Sequence, residues 1–355
     1  MRILQVASSS RRRGAEVFAA QLGAELVGRG HEVATVALEH RPGDEGLPFD
    51  QLRAPGRGPR AVVELARRAG AFDVVIAHGG STLLPVAVAA KLAQRPFVYR
   101  NIGDPSFWGR ARGARLRIGL PLRLAAHIVA LYPGAGRYMR DHHKVAADRI
   151  TVVPNAVDVA RFPTVTAARR QAARDELGLS TSQVVLGYLG NLSAEKRPEW
   201  AIEAVRLIDA ATLLVAGDGP LRDDVAQRAR ALGDRDGKPA CQLLGSVDDP
   251  QRLLAAIDVL LLPSVTEGIP GVLVEAALVG VPTVATDVGG VRDALEAMSG
   301  GICVPADDFD GFVATVRRVA KDLDRYRPDR AAAIERHAIE AVADQWEDVL
   351  RQVAG

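Results

Sequence analysis

The sequence has few cysteines, no long uncharged apolar run and no glycine fingerprint for dinucleotide binding. Its two cysteines, Cys241 and Cys303, are too few for a disulfide framework or a cysteine zinc site, which indicates a reducing compartment. The longest stretch nearly free of charge, residues 268–286, still contains Glu275, two prolines and two internal glycines, so it is not a membrane span. Gly14 is followed by no second or third glycine at dinucleotide-binding spacing, which argues against a nicotinamide dehydrogenase.

The composition that is present describes a large globular protein. The 355 residues are 48% hydrophobic and 25% charged, and they exceed the size of one ordinary core, so two domains are expected. The net charge of +2 conceals an asymmetry between the two halves. Residues 1–157 hold 23 basic and 12 acidic side chains, whereas residues 158–355 hold 22 and 31. We expect the halves to meet different partners.

Short runs rich in β-branched residues alternate with longer helical patterns along the whole chain. Strands are predicted at 3–7, 33–38, 73–77, 96–99, 127–131, 150–153, 184–189, 212–216, 242–244, 259–262, 283–286 and 302–304. Helices are predicted at 15–29, 61–69, 82–93, 134–142, 197–207, 221–232, 250–256, 271–279 and 309–323, with one or two more in 328–353. This alternation predicts an α/β fold with doubly wound parallel sheets. The rhythm is interrupted at residues 154–158, where the charge balance also reverses, and it then restarts. We therefore expect one such domain to follow another, with ligands bound beyond the carboxyl ends of the strands, in a cleft between two sheets.

Residues 263–275 carry the strongest local signal of function. A buried strand is predicted to end at Pro263, and a helix opens near Gly271, whose N-terminus favours phosphate. Glu275 is the one charge on this apolar helix, and ribose hydroxyls would compensate its burial. Glu267, on the loop, could reach hydroxyls of a sugar. The alternative is an ion pair between Glu275 and an arginine, with Glu267 solvated.

The two glutamates and the segment 280–290 that follows them resemble the signature of the family-4 retaining glycosyltransferases, which have the GT-B fold. Further agreement comes from segments spread along the chain. They are residues 30–33, 153–158, 189–198, 216–220 and 244–247. The resemblance implies two facing Rossmann-like domains with a cleft between them. Residues 1–158 would form the acceptor domain and 159–337 the nucleotide-sugar donor domain, with a C-terminal helix of about 338–355 packing back on the first.

The implied activity is transfer of a hexosyl group from a nucleotide-diphosphate sugar to an acceptor hydroxyl, with retention of anomeric configuration. UDP- and GDP-sugars are the expected donors, no metal or other cofactor is expected, and the product would be a glycan or glycolipid. The alternatives within the fold are a sugar-nucleotide epimerase, a phosphorylase and a non-catalytic sugar-nucleotide-binding protein. An epimerase would convert the donor without an acceptor.

The resemblance also assigns roles to residues. Glu267 would contact the transferred sugar, Lys196 the diphosphate and Glu275 the ribose. The donor-binding positions are Gly14, Asn191, Arg197, Ser246, Val247, Gly268, Ile269, Pro270, Gly271, Val272, Leu273 and Glu275. Asn191 stands where the family commonly has arginine, so either Arg197 substitutes for that charge or the diphosphate is less stabilised. The base would lie near Ser246 and Val247.

In the first half, His78 ends a predicted strand and precedes two glycines. Such a histidine is either structural or placed to orient an acceptor hydroxyl or act as a general base. The resemblance implies a second histidine after the next strand, where this sequence has Arg100 and Asn101. Asn101 would replace its contact with the sugar, and Asp104 is an alternative acid in the same loop. His78 is the third expected catalytic residue beside Glu267 and Lys196.

Residues 107–123 combine five arginines with large apolar side chains. This stretch is either a solvated face, a peripheral contact with an anionic membrane, or a site for an anionic or lipid-linked acceptor. Nucleic acid is not expected as a partner, because no recognition module accompanies the charge. The expected location is the cytoplasm, including its membrane face if the second or third interpretation holds.

Overall fold

A computed structural model describes residues 1–39, 46–109, 114–180, 183–208, 211–235, 237–247 and 249–355, without the side chains of 108 and 114–117. The chain divides into two compact units. The first comprises Met1–Asp158 and Arg336–Gly355, and the second comprises Val159–Glu335.

The first unit is built on a seven-stranded sheet in which all described strand pairs are parallel. Its strands are β1 (Arg2–Ser9), β2 (Glu32–Glu39), β3 (Asp50–Gln51), β4 (Val74–His78), β5 (Phe97–Arg100), β6 (His127–Ala130) and β7 (Ile150–Val152), in the order β3-β2-β1-β4-β5-β6-β7. The helices of this unit that precede the second unit in sequence are α1 (Gly14–Gly28), α2 (Pro59–Ala69), α3 (Gly80–Leu92), α4 (Pro105–Trp108), α5 (Ala114–Leu124) and α6 (Pro133–His143). The central strand β4 is buried along its whole length, because helices cover both faces of the sheet.

The second unit repeats this plan with six parallel strands. The chain continues through α7 (Ala167–Glu176), β8 (Val184–Leu189), α8 (Pro198–Arg206), β9 (Ala211–Ala216), α9 (Arg222–Ala231), β10 (Asp234–Arg235), β11 (Lys238–Pro239), β12 (Cys241–Gly245), α10 (Pro250–Ala256), β13 (Val259–Leu262), α11 (Gly271–Leu278), β14 (Thr283–Thr286), α12 (Val291–Ala297), β15 (Gly301–Val304), α13 (Phe309–Lys321) and α14 (Arg330–His337). The sheet order is β12-β9-β8-β13-β14-β15, and β10 and β11 form a small antiparallel hairpin.

After α14 the chain returns to the first unit as α15 (Ile339–Ala354). This helix packs on α1 and on strands β4 and β5 of the first sheet. Its apolar side chains join those of α1 in one core, with Trp346 fully buried. None of the described helices combines the length and the hydropathy that crossing a bilayer requires.

The prediction of two doubly wound parallel sheets is confirmed. Several elements were not expected from the sequence, namely β3, α4, α5, α7, the β10–β11 hairpin and α12. The elements β3, β10 and β11 have two residues each, too few for any hydrophobic period. Helix α7 has the sequence AARRQAARDE, in which alanines supply the only apolar positions, so no apolar stripe marks it.

Candidate functional site

The loop that joins β13 to α11 is held in place by the next strand and by a pair of glycines. The hydroxyl Oγ1 of Thr286, at the end of β14, donates to the carbonyl oxygen of Ser264 at 2.5 Å. The amide of Gly290 donates to the carbonyl oxygen of Gly268 at 2.9 Å. Gly289 has φ +57°, and a Cβ on it would lie 1.9 Å from the carbonyl oxygen of Glu267. A side chain at Gly289 would therefore displace the loop.

Glu267 is buried and fully partnered rather than solvated. Its Oε1 accepts a hydrogen bond from Ser264 Oγ at 2.6 Å, and its Oε2 lies 2.7 Å from Lys196 Nζ. The relative exposure is 9% for the Glu267 residue and 26% for the Lys196 side chain. Two positions that the sequence places 71 residues apart thus form one charged pair, with the ammonium on its open side.

Lys196 is brought to this loop by the segment that follows β8. Residues Ala194–Lys196 form a single 3₁₀ turn, and the amide of Val265 donates to the carbonyl oxygen of Glu195 at 2.8 Å, which ties the two loops together. The hydroxyls of Ser193 and Thr266 are buried there without a hydrogen-bond partner among the described residues. Neither hydroxyl was singled out from the sequence. A buried hydroxyl without a partner is costly unless a ligand supplies one.

Glu275 points back along α11 toward the start of the helix, as helical side chains do. Its Oε1 lies 3.7 Å from where a Cβ of Gly271 would stand. Burial is the main cause that raises the pKa of Glu275, to about 7, against a smaller lowering by Arg161. No arginine of the described chain comes within ion-pair distance of it, so the pairing considered from the sequence is not formed there.

The N-terminus of α11 offers backbone donors beside this carboxyl group. Pro270 occupies the cap position in an extended conformation, and its side chain makes no capping hydrogen bond. The amide of Leu273 donates to the carbonyl oxygen of Pro270 at 3.2 Å. The first turn, Gly271 and Val272 included, therefore presents N–H groups and the positive end of the helix dipole.

Asn191 and Arg197 lie on either side of the 3₁₀ turn and have different surroundings. Asn191 is exposed, and its Oδ1 would lie 2.8 Å from a Cβ on Gly219, in the turn after β9. Arg197 is in the left-handed region, with φ +47°. Its guanidinium donates to the carbonyl oxygen of Ala306 at 2.5 Å and covers the ring of Trp200 at 4.7 Å. A role for Arg197 on a phosphate would require these contacts to be released.

Three of the remaining donor-binding candidates are exposed or have free space beside them. Ser246 and Val247 are exposed and follow the edge strand β12. A cavity of about 350 Å³ lies beside the end of that strand, lined in part by Leu192, Gly217 and Leu243. Gly14 is the first residue of α1, and a Cβ on it would meet nothing within 4 Å. The donor-binding roles of these residues, and of Gly268 and Ile269, stay predictions.

His78 lies inside the core of the first unit. It is 2% exposed, its Nε2 is 2.9 Å from Gln5 Oε1, and its ring centroid is 6.2 Å from that of Phe18 and 6.4 Å from that of Trp346. Burial, and then the charge of Arg100, hold the pKa of His78 well below its ordinary value, so the ring is neutral near pH 7. Its catalytic role stays a prediction, and the packing agrees with the structural alternative.

The segment after β5 also has internal partners. Arg100 is 1% exposed, its guanidinium carbon lies 3.5 Å from the centroid of the Phe18 ring, and Nη2 donates to Asn155 Oδ1. Asn101 is buried, and its Oδ1 accepts no hydrogen bond from the described residues. Asp104 caps α4 by accepting from the amide and the hydroxyl of Ser106 at 2.8 and 2.7 Å. That capping contact accounts for the acid without a catalytic role.

Part of the basic stretch 107–123 falls outside the described residues. This holds for Arg110 and Arg112, and for the side chains of Arg115 and Arg117. Arg123 is exposed at the end of α5. The membrane contact expected for this stretch stays a prediction. In the described part of the chain no three His, Cys, Asp or Glu side chains come together as a metal site would need.

Comparison with known proteins agrees with this architecture. The sequence model "Glycosyltransferase Family 4" matches residues 12–161, and "Glycosyl transferases group 1" matches residues 183–322. The crystal structure of Anabaena Alr3699/HepE with UDP and glucose superposes with a TM-score of 0.85 at 20% identity, covering 99% of each chain. The two sheets therefore define a GT-B fold. The two matches span both units, and the chain belongs to the family-4 glycosyltransferases.

Characterised relatives act on different acceptors. The Escherichia coli UDP-Gal:alpha-D-GlcNAc-diphosphoundecaprenol alpha-1,3-galactosyltransferase is 26% identical over an alignment of 263 positions, which covers 71% of this chain and 67% of the relative. The Streptomyces fradiae 2-deoxystreptamine N-acetyl-D-glucosaminyltransferase is 26% identical over an alignment of 366 positions, which covers 90% of this chain and 86% of the relative. The names of these relatives describe a lipid-linked and an aminocyclitol acceptor.

Proposed function

We propose that this protein transfers a glycosyl group from a nucleoside-diphosphate sugar to an acceptor hydroxyl, with retention of configuration and without a metal ion. The observation that carries the proposal is that two charged side chains, a second carboxyl group and a helix N-terminus come together on the second unit. A charged Lys196–Glu267 pair is built from the loops after β8 and β13, and the helix that follows the second loop carries Glu275 beside its free N-terminus.

In this proposal the donor nucleotide lies along the start of α11. The amides of Gly271 and Val272 and the helix dipole bind the diphosphate, and the amide of Leu273 joins them by exchanging its 3.2 Å bond to the Pro270 carbonyl oxygen for one to a phosphate oxygen. The ribose hydroxyls donate to Glu275, whose carboxylate is costly to ionise without them because it is largely desolvated. Lys196 supplies the positive charge that a metal ion supplies in other transferases, and it offsets charge developing on the leaving phosphate.

The partners of Glu267 favour one mechanism of retention over another. A carboxylate acting as a covalent nucleophile attacks the anomeric carbon through one oxygen, and a hydrogen bond or an ion pair on that oxygen lowers its nucleophilicity. Both oxygens of Glu267 are already engaged, one by Ser264 and the other by Lys196. We therefore propose front-face attack, in which the acceptor oxygen bonds to the anomeric carbon as the sugar–phosphate bond breaks. The acceptor proton passes to the leaving phosphate oxygen, and Glu267 orients the sugar.

Uracil is the base we propose to test first, as UDP. The Anabaena protein of the same fold has been solved with UDP and with UDP-glucose, and the Escherichia coli relative is named for a UDP-galactose donor. The base would lie at Ser246 and Val247. The acceptor is proposed only as a hydroxyl compound, because the two relatives named above differ in theirs.

A thermal-shift titration with UDP, GDP and ADP tests the donor site. Selective stabilisation by one nucleoside diphosphate is expected, about 2.7 kcal/mol at a hundredfold excess over its dissociation constant. Glu275→Gln removes the charged acceptor for ribose and should weaken that affinity about ten- to hundredfold. Glu203→Gln, a surface acid paired with Arg206, serves as the matched control and should leave the affinity unchanged.

Two results would contradict the proposal. Equal affinity of the wild type and Glu275→Gln would remove the ribose role of Glu275. Conversion of a nucleotide sugar in the absence of any acceptor would identify an epimerase instead. With a productive acceptor, the anomeric proton coupling of the product reports directly on retention.

A further inference from the structure

Most of the large apolar side chains that the structure leaves exposed lie on one face of the first unit. Among the residues whose side chains the structure describes, six of the nine belong to α2, α3 and α5. They are Val63, Leu84, Val88, Leu92, Leu120 and Leu124, with exposures of 44%, 52%, 41%, 62%, 63% and 45%. Single exposed leucines are ordinary, but a cluster confined to neighbouring helices marks an interaction surface.

The three helices form one layer. Helix α3 lies between α2 and α5 and packs against both. The buried residues of all three belong to the same hydrophobic core, beneath one face of the seven-stranded sheet. On α3 the exposed apolar residues follow the spacing i, i+4, i+8, which places Leu84, Val88 and Leu92 in a single stripe along the helix. Leu120 and Leu124 repeat the i, i+4 spacing on α5.

Positive charge surrounds this stripe. Helix α2 presents Arg60 and Arg67 on either side of Val63. These two arginines and Arg68, all on α2, line an open groove of about 640 Å³ together with Arg53. Lys91 and Arg123 are exposed within the apolar positions of α3 and α5. The sequences of the three helices hold seven basic residues and a single acid, Glu64. That carboxylate is occupied by the amides of Arg53 and Ala54 at 3.0 and 3.1 Å.

We propose that this layer, called here the α2–α3–α5 face, docks the protein on an anionic bilayer surface. The aliphatic stripe enters the boundary between headgroups and acyl chains, while the arginines and Lys91 meet the headgroups. The proposal goes beyond glycosyl transfer and does not depend on it. It extends the contact expected at residues 107–123, which include Leu120 and Arg123, to α2 and α3, which supply four of the six exposed apolar side chains.

Charge complementarity decides against the other occupants. A second copy of the chain seated symmetrically on this face would oppose arginines to arginines. A nucleic acid would satisfy the charges, but bases bind by stacking on aromatic rings, and the exposed apolar side chains described on these three helices are all aliphatic. An anionic bilayer accommodates both the positive charges and the aliphatic stripe.

Vesicle flotation of the full chain tests the proposal. The vesicles contain phosphatidylcholine alone or phosphatidylcholine mixed with phosphatidylglycerol. We expect binding to the mixed vesicles that falls as salt is raised. The double variant Leu84→Ser with Leu92→Ser should weaken binding at least tenfold. Arg60→Gln with Arg67→Gln should weaken it about thirtyfold, from the loss of two charges at the surface.

The matched control lies on the opposite side of the same unit. Val27 on α1 is 53% exposed, and Arg351 on α15 has a side chain 59% exposed. Val27→Ser with Arg351→Gln should bind as the wild type does. Circular dichroism and thermal unfolding of each variant separate lost docking from lost folding.

Three outcomes would overturn the proposal. One is equal binding to both kinds of vesicle, or none to either. The second is control variants that lose as much binding as the α3 variants. The third is a wild-type dimer in light scattering that Leu84→Ser with Leu92→Ser converts to a monomer, because the face would then join copies of the chain.

Discussion

At the scale of single residues, the candidate site contains one carboxyl group that is paired and one that is not. Glu267 has both oxygens engaged, by Lys196 and Ser264. Glu275 has no such partner in the described chain, and burial raises its pKa to about 7. An unpaired carboxyl group of this kind is what a binding site provides when the ligand itself is to supply the hydrogen bonds.

The pKa of Glu275 predicts a pH-dependent cost in stability. Its folded-state pKa, about 7, lies above its ordinary value of 4.5, so the folded protein binds more protons than the unfolded chain between these values. Stability therefore falls as pH rises from about 4.5 to about 7. Glu275→Gln removes this loss and should be more stable than the wild type by about 1–3 kcal/mol at pH 8, with little difference near pH 4.

Urea unfolding across that pH range measures the effect. Glu203→Gln, on the surface, should follow the wild type at every pH. A difference between Glu275→Gln and the wild type that stays constant with pH would mean that packing, and not ionisation, sets it. The affinity for nucleotide should change with pH in the opposite direction to the stability. It should rise as pH rises, because Glu275 ionises.

The signal in the sequence was strong for the loop of the proposed donor site and weak for the proposed acceptor side. Glu267, Lys196 and Glu275 stand in short motifs whose local structure, a loop opening a helix, is set by neighbouring residues. His78 was ambiguous because its surroundings come from Phe18 and Trp346, 60 residues before it and 268 after it. Such packing partners cannot be recognised from the local pattern.

At the scale of elements, the sequence predicts strands correctly where a hydrophobic run has the length of a strand and is buried. Strands β8, β13 and β14 have the expected bounds, because each is a short apolar run that is almost wholly buried. Helix α7 was missed because a charged residue anchors it. Arg174 lies within it with a side chain only 4% exposed, and its Nη2 pairs with Asp258 at 2.7 Å. Local pattern carries no sign of such a distant partner.

The ion pair between Arg174 and Asp258 predicts the effect of replacing Asp258. Its carboxylate also accepts from the amide of Val185 at 2.7 Å and pairs with Arg170, so it joins α7 to the start of β8 and of β13. Asp258→Ala leaves the Arg174 charge buried without its counter-ion and should cost about 3–5 kcal/mol of unfolding free energy. Asp224→Ala, which breaks the exposed pair with Arg228, should cost less than about 1 kcal/mol. Chemical denaturation compares them, and equal costs would show that the buried pair is not the anchor.

At the scale of the whole molecule, the chain order and the structural order differ. Helix α15 follows the second unit in sequence but completes the core of the first. Trp346 is its central contact, fully buried and 6.3 Å from the ring of Phe18. Each unit has its own core, so each is expected to unfold as its own cooperative transition.

Two substitutions identify which transition belongs to which unit. Trp346→Ala opens a cavity in the first core and should lower the stability of that unit by about 3–5 kcal/mol. Trp346→Phe should cost clearly less, because it keeps an aromatic ring and removes an indole N–H that has no partner among the described residues. Asp258→Ala lies in the second unit and should lower the other transition in calorimetry.

The pattern of shifts then tests how the C-terminal helix contributes. If α15 stabilises only the unit on which it packs, Trp346→Ala lowers one transition and leaves the one sensitive to Asp258→Ala in place. A single transition that both substitutions lower together would mean that the two units unfold as one, in which case the last helix contributes to the stability of the entire chain. Removal of residues 339–355 should then abolish that single transition, whereas independent units would keep the second.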